Sequence, residues 1–237
     1  MNEYPLIPSA DGAKSRESYY NKNMNLISTW QNSPVRCVIY DCDGVLFDSL
    51  ENNERFYNHL CAAMGRAPIR AEELPYLHMH TVQEAVHFLF PEKPDLVKKA
   101  HEFILTVNPN DFIPYMKMEP NLLEALDALK QRGVLRAINT NRTSSMKFVL
   151  DAFSLRPYFE MVVTALDVQN PKPHPESVIR ILDAFRLRKE EAVFVGDSEI
   201  DRRTAEAADI RFVAYKNPQI ANGCLIQDHL DLLQKIA

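Results

Sequence analysis

The stretch Val38-Ile39-Tyr40-Asp41-Cys42-Asp43-Gly44-Val45-Leu46-Phe47-Asp48-Ser49 is an apolar run that ends in two aspartates one residue apart. On an extended backbone, residues i and i+2 point to the same side, so Asp41 and Asp43 aim into one site while Cys42 turns away. Two like charges that close repel, and the pair is tenable only with a cation between them or a proton on one of them. Both conditions suit phosphoryl transfer. An ionised aspartate can attack phosphorus, a protonated one can donate to the leaving oxygen, and Mg²⁺ takes hard oxygen ligands while offsetting phosphate charge. Gly44 allows a sharp turn with the backbone close to an anion. Taken alone, the motif also describes a strand that simply ends in an acidic turn.

Outward from this stretch a βα rhythm appears. Short apolar runs at 35–40, 135–139, 161–164, 192–196 and 210–215 suit strands covered on both faces. Helical patterns lie at 121–131 (closed by Gly133), 144–153, 175–186, 202–208 and 227–236. This alternation predicts an α/β fold, a Rossmann-like parallel sheet with helices on both faces, which binds ligands beyond the carboxyl ends of its strands. The acidic pair lies at such an end.

The rhythm breaks between residues 50 and 115, where helical stretches at 51–64, 81–90 and 94–106 are cut by Pro68, Pro75, Pro91, Pro94 and Pro109. An insertion of that length can form its own helical lobe. Asp48 and Glu51 have the spacing of a capping box, so the first lobe helix is expected just after the acidic loop. The expected division is therefore an extension over residues 1–33, a core of 34–49 and 116–237, and a helical insertion of 50–115.

Composition excludes some classes. Of 237 residues, 46% are hydrophobic and 25% charged, ordinary for a soluble globular protein. The net charge of −5, pI near 5.8 and scattered basic residues argue against nucleic acid as a partner. No apolar run approaches the ~18 residues of a membrane span, so no membrane association is expected. Four cysteines (Cys37, Cys42, Cys61, Cys224) without CxxC spacing read as buried hydrophobes in a reducing compartment, and a cytoplasmic location is expected. Residues 1–33, rich in Asn, Ser, Tyr and Pro, lack an apolar signal-peptide region; they read as a surface-draped extension with Trp30 anchoring its end.

Three further groups carry chemistry. In Ile138-Asn139-Thr140-Asn141, the threonine hydroxyl can donate to a phosphate oxygen, helped by the amide of the next residue, or can cap a helix. In Asn170-Pro171-Lys172-Pro173-His174-Pro175, three prolines stiffen the backbone around one ammonium, which suits a fixed anion. In Gly196-Asp197-Ser198-Glu199-Ile200-Asp201, a strand runs into an acidic turn that can supply further Mg²⁺ oxygens, with one carboxylate left to orient Lys172.

Asp41-Cys42-Asp43-Gly44-Val45, Thr140-Asn141, Lys172-Pro173 and Gly196-Asp197-Ser198 with Asp201 come in the order of four motifs of the haloacid-dehalogenase superfamily, which the chain resembles over residues 35–237. The resemblance implies Asp41 as nucleophile of an aspartyl-phosphate, and Asp43 as acid toward the leaving group and then base for water. It implies Thr140, Asn141 and Lys172 as phosphoryl-binding residues. It further implies Mg²⁺ held by Asp41, the Asp43 backbone carbonyl and Asp197, with Asp201 and Gly44 in support, and residues 50–115 as a cap that closes over the substrate. Dehalogenating members usually lack the second aspartate and phosphonate-cleaving members usually have Ala there, so Asp43 favours phosphate-ester hydrolysis of a small phosphorylated metabolite. The segment Asn170 to Pro175 looks most like the phosphoglycolate-phosphatase branch, from which Asp209 departs at a position commonly Gly. A sugar-phosphate mutase of the same fold (beta-phosphoglucomutase-like) is the nearest rival, and a non-enzymatic regulator the more distant one. His78, His80 and His87, with Arg66 or Arg70, are candidates to line the substrate pocket.

Overall fold

A computed structural model describes residues 33–236 of the chain. The extension expected over 1–33, with Trp30, lies outside the described residues except for Ser33. Strand β1 (Cys37–Tyr40) is central to a sheet with β4 (Leu135–Asn139), β5 (Met161–Val163), β6 (Ala192–Gly196), β7 (Arg211–Tyr215) and β8 (Leu225–Ile226). The order is β5-β4-β1-β6-β7-β8, parallel throughout. The chain runs outward from β1 through β4 to β5 and then returns to β6 on the other side of β1. The strand order therefore reverses at β1, the place where open α/β sheets form their ligand crevice.

Alternate residues of β1 feed two different cores. Val38 and Tyr40 pack on one face with Leu122, Leu126, Val149 and Leu232. Those residues come from α5 (Leu122–Gln131), α6 (Met146–Ala152) and α9 (His229–Lys235). Cys37 and Ile39 pack on the other with Val178, Ile181 and Ala205, from α7 (Glu176–Phe185) and α8 (Glu199–Ala207). This double coverage is why the strand reads as a continuous apolar run. Ile39, Phe194 and Val195 are fully buried, each such side chain stabilising the fold by roughly 1.5–3 kcal/mol relative to exposure.

Between residues 50 and 115 the structure contains only helices: α1 (Leu50–Ala63), α2 (Leu74–Met79), α3 (Val82–Leu89), α4 (Pro94–Ile104) and two short 3₁₀ turns. They enclose a separate apolar cluster that includes Tyr57, Leu60, Leu77, Val86 and Phe90. The segment leaves and rejoins the core through a two-stranded antiparallel ribbon, β2 (Phe47–Asp48) with β3 (Lys117–Met118). Two-residue strands carry too little periodicity to be read from sequence. Helix α2 also went unanticipated, because Pro75, read as a break, sits in its first turn, where proline is tolerated.

The expected Asp48/Glu51 capping box does not form. Ser49 occupies the N-cap of α1 without a capping bond, since its hydroxyl donates to the Asp43 carboxylate instead. Helix α8 starts earlier than its apolar pattern suggests, because Ser198 and Asp201 form a capping box. Asp209 adopts φ = +56°, so the left-handed turn expected of a glycine is kept, in a residue type that tolerates it better than most.

Candidate active site

Asp41 continues β1, its amide donating to Val195 O at 3.0 Å. One of its carboxylate oxygens accepts from the Cys42 amide at 2.7 Å and lies 2.8 Å from Lys172 Nζ. The same ammonium donates to Asp201 Oδ1 at 2.7 Å. The other oxygen of Asp201 accepts from the Ser198 amide and hydroxyl at 3.1 and 2.6 Å. The proline-bounded loop thus presents Lys172 between two carboxylates, almost completely buried.

Carboxylate oxygens of Asp41, Asp197 and Asp201 all lie within 4.8 Å of one another. Burial pushes the Asp41 carboxyl up to about 7, with the Asp201 charge adding and Lys172 opposing. Asp197 is raised well above its ordinary value by the same causes, burial first, then Asp201 and Asp41. One ammonium does not neutralise three clustered carboxylates, and a divalent cation would. The space is shaped for it: a Cβ on Gly44, which sits at φ = +72°, would fall 1.9 Å from Asp197 Oδ2. Both oxygens of Asp201 are already committed, so Asp41 and Asp197 are the carboxylates suited to hold the ion.

Asp43 behaves differently. Its carboxylate is gripped by Arg142, with Nε and Nη2 donating to the two oxygens at 2.7 and 2.6 Å, and by the Ser49 hydroxyl. Burial alone would raise its pKa, but the charge and hydrogen bonds of Arg142 outweigh burial and hold it below the ordinary carboxylate value. Its side chain is therefore not one of the clustered acids, and the expected metal role of Asp43 is left to its backbone carbonyl. Each aspartate also has a cation of its own, Lys172 beside Asp41 and Arg142 beside Asp43, which the sequence did not indicate.

Thr140 and Asn141 follow β4. The Thr140 amide donates to Val163 O at 3.0 Å, and its buried hydroxyl accepts from the Arg142 amide at 3.1 Å. The Asn141 side chain donates to Lys172 O and, across to the insertion, to Met79 O, at 3.3 and 3.2 Å. It ties the Lys172 loop to the helices rather than offering its amide nitrogen to a ligand, so any phosphate contact of Asn141 falls to its backbone.

Beyond Asp43 opens a cavity of about 620 Å³ between the sheet and the insertion. Phe56, Tyr57, Leu77, His78, His80 and Phe112 line it from the helices, and Arg142, Phe148 and Leu166 from the core. His78 and His80 are thus where the sequence suggested. His87 is exposed on α3, bonded to Gln83 O, while Arg66 and Arg70 pair with Glu73 and do not line this cavity. His101 and Arg142 line it without having been singled out. The signal for Arg142 was its place two residues after Thr140, at the same strand end.

The family model of haloacid dehalogenase-like hydrolases matches residues 38–215. The chain is 30% identical over 186 residues to a phosphoglycolate phosphatase of Rhodobacter capsulatus, covering 75% of this chain and 83% of that protein. It is 28% identical over 185 residues to the pyrophosphatase PpaX of Bacillus pumilus, covering 74% and 81%. Among solved structures, a subfamily IA hydrolase of the same superfamily from Geobacter sulfurreducens is 40% identical, with a TM-score of 0.74 over 84% of this chain and 98% of that one. A haloacid dehalogenase-like hydrolase from Streptococcus pneumoniae, 15% identical, shares the fold at a TM-score of 0.74, over 86% of this chain and 99% of that one. With the four motifs gathered at the carboxyl ends of one parallel sheet, the chain belongs to the haloacid dehalogenase-like hydrolases.

Proposed function

We propose that the protein is a Mg²⁺-dependent phosphatase that hydrolyses small phosphomonoesters through an aspartyl-phosphate on Asp41. The observation that carries this reading is the buried Asp41–Lys172–Asp201 chain beside Asp197, a carboxylate positioned by an ammonium at the edge of an anionic pocket that wants a cation.

Asp41 attacks phosphorus with one carboxylate oxygen and the ester oxygen leaves in line. Lys172, kept charged by Asp201 and Asp41 despite its burial, and the Thr140 hydroxyl bind the phosphoryl oxygens. Asp43 protonates the leaving oxygen and then takes a proton from the water that hydrolyses the acyl phosphate. For that it must turn away from Arg142, whose grip keeps it ionised, and take up a proton from solvent. Asp41, Asp197 and the Asp43 carbonyl would hold Mg²⁺, which when bound offsets the charge of the carboxylates and of the phosphoryl group. The helical insertion acts as a cap that excludes water while the ester is cleaved.

The narrower reading is phosphoglycolate, supported by the Rhodobacter relative. A cytoplasmic location is supported by four free, buried thiols; among the described residues no helix is long and apolar enough to cross a membrane. Release of phosphate from a panel of phosphorylated metabolites with Mg²⁺ tests the activity. Isomerisation of a sugar phosphate without phosphate release would select the mutase, and inertness toward the whole panel the regulator. Asp41→Asn keeps the shape of the nucleophile but not its charge, and turnover should fall by about 10³-fold or more with folding intact; near-normal turnover overturns the assignment.

A further inference from the structure

Resting on the phosphatase reading, the geometry points to Arg142 as the residue that recognises a second anion on the leaving group, so that the preferred substrates are phosphoesters or anhydrides carrying a carboxylate or phosphate just beyond the scissile oxygen. Arg142 lines the cavity beside Asp43 with its side chain only 10% exposed. Among the described lining residues it is the one little-exposed side chain with a fixed positive charge: Lys147 is exposed, its ammonium 4.8 Å from the Phe148 ring centre, and burial favours the neutral forms of His78 and His101.

The planar guanidinium is occupied in this structure by a carboxylate, that of Asp43, in the bidentate manner that suits arginine. A third contact, Nη2 to Asn52 Oδ1 at 3.2 Å, holds it in place from α1. Asp43 must reach the leaving oxygen with a proton taken up from solvent, and in turning and being protonated it leaves Arg142 without its counter-charge. A little-exposed guanidinium stripped of its anion is costly. A substrate anion placed two or three bonds past the scissile oxygen would take over the same donors, because the acid that touches that oxygen is itself within hydrogen-bond distance of Arg142. Asp43 is thus an internal stand-in for the substrate anion, and binding of the right substrate frees it. An uncharged leaving group offers no such exchange. The interaction is realised as Asp43 engages, so it should appear in kcat as well as in KM.

The test uses a matched pair, phosphoglycolate and 2-hydroxyethyl phosphate, in which a carboxylate is replaced by an uncharged hydroxymethyl group, with nitrophenyl phosphate as a general phosphatase substrate. The full-length protein is assayed with Mg²⁺ as wild type, Arg142→Gln and Arg142→Lys, with circular dichroism and melting curves confirming the fold. The inference expects the wild type to favour phosphoglycolate by about ten-fold or more in kcat/KM, part of it in kcat. That ratio should collapse toward one in Arg142→Gln and survive in part in Arg142→Lys, which keeps the charge and loses the fork. If the wild type hydrolyses nitrophenyl phosphate but shows no preference within the pair, or if the preference persists in Arg142→Gln, the inference is overturned and the phosphatase reading stands. If none of the three esters is hydrolysed and the wider panel is inert, the phosphatase reading itself fails. Should Arg142→Gln not fold, Arg142→Lys decides: an unchanged ratio there, where bidentate geometry is gone, overturns the inference.

Discussion

Gly44 shows how much of the chemistry rests on an absent side chain. Its φ of +72° is strained for any other residue, and a Cβ would drive into the Asp197 carboxylate. Gly44→Ala is expected to cut turnover by about 10²-fold and to weaken Mg²⁺ binding, read by titrating activity and melting temperature against Mg²⁺; an unaltered Mg²⁺ response would mean that Asp197 does not hold the ion. Asp43 carries a second expectation. If it protonates the leaving oxygen, Asp43→Asn should slow alkyl phosphates by about 10²-fold or more and nitrophenyl phosphate, a good leaving group, by clearly less. Equal losses would assign Asp43 a structural role through Arg142. That Asp41 and Lys172 belong to one site was expected from residue type and motif order, and the two side chains lie 2.8 Å apart. The partner of Asp43 was not, since nothing in a linear sequence says which of 27 Lys and Arg residues will fold onto a given carboxylate 99 positions away.

At the scale of elements, α9 supports the acidic loop through a buried histidine. His229, its first residue, is fully buried, its Nε2–H donating to Val45 O at 2.9 Å, one residue past Gly44. It stacks on Tyr215 with ring centres 4.6 Å apart. Burial lowers its pKa to about 4 from the usual 6.5, the bond to Val45 opposing only in part. Between pH 4 and 6.5 the unfolded chain therefore holds a proton here that the folded one does not. Stability rises with pH through that window and is lost as pH falls, by up to ~3 kcal/mol from this group. Asp41 runs the other way, its raised pKa adding stability as pH falls from about 7. The two are separated by comparing the wild type with His229→Gln in denaturant titrations at pH 7 and 4.5. The variant should be less stable at pH 7 and should lose less on acidification; parallel pH dependences would remove His229 from the account. The sequence marked this helix by its apolar period, but neither β8 before it nor the bond to Val45, because both depend on which strand end the chain returns to.

For the whole molecule, the decisive relation is between the sheet and the helical insertion, which close on one cavity and are joined by the β2–β3 ribbon and the Asn141 bridge to Met79. If the insertion selects the substrate, replacing residues 50–115 by a short linker should leave a folded core that still cleaves small activated esters, while preference among natural metabolites collapses, since the binding energy of the non-reacting part is lost. A folded, capless protein with an unchanged metabolite ranking would place selectivity in the core loops. By itself, the sequence determined the α/β class, the five longer strands with the helices of the core between them, and the four acid, threonine and lysine motifs. These follow from local periodicity and from turn residues adjacent in the chain. Only the tertiary structure decided that Asp41 and Asp43 are served by different cations, that Asp201 rather than Asp197 bonds Lys172, and that Arg142 lines the cavity. The physical reason is range. Backbone propensity and burial pattern act over a few residues, whereas a buried charge finds its counter-charge only where the sheet order β5-β4-β1-β6 sets distant strand ends side by side.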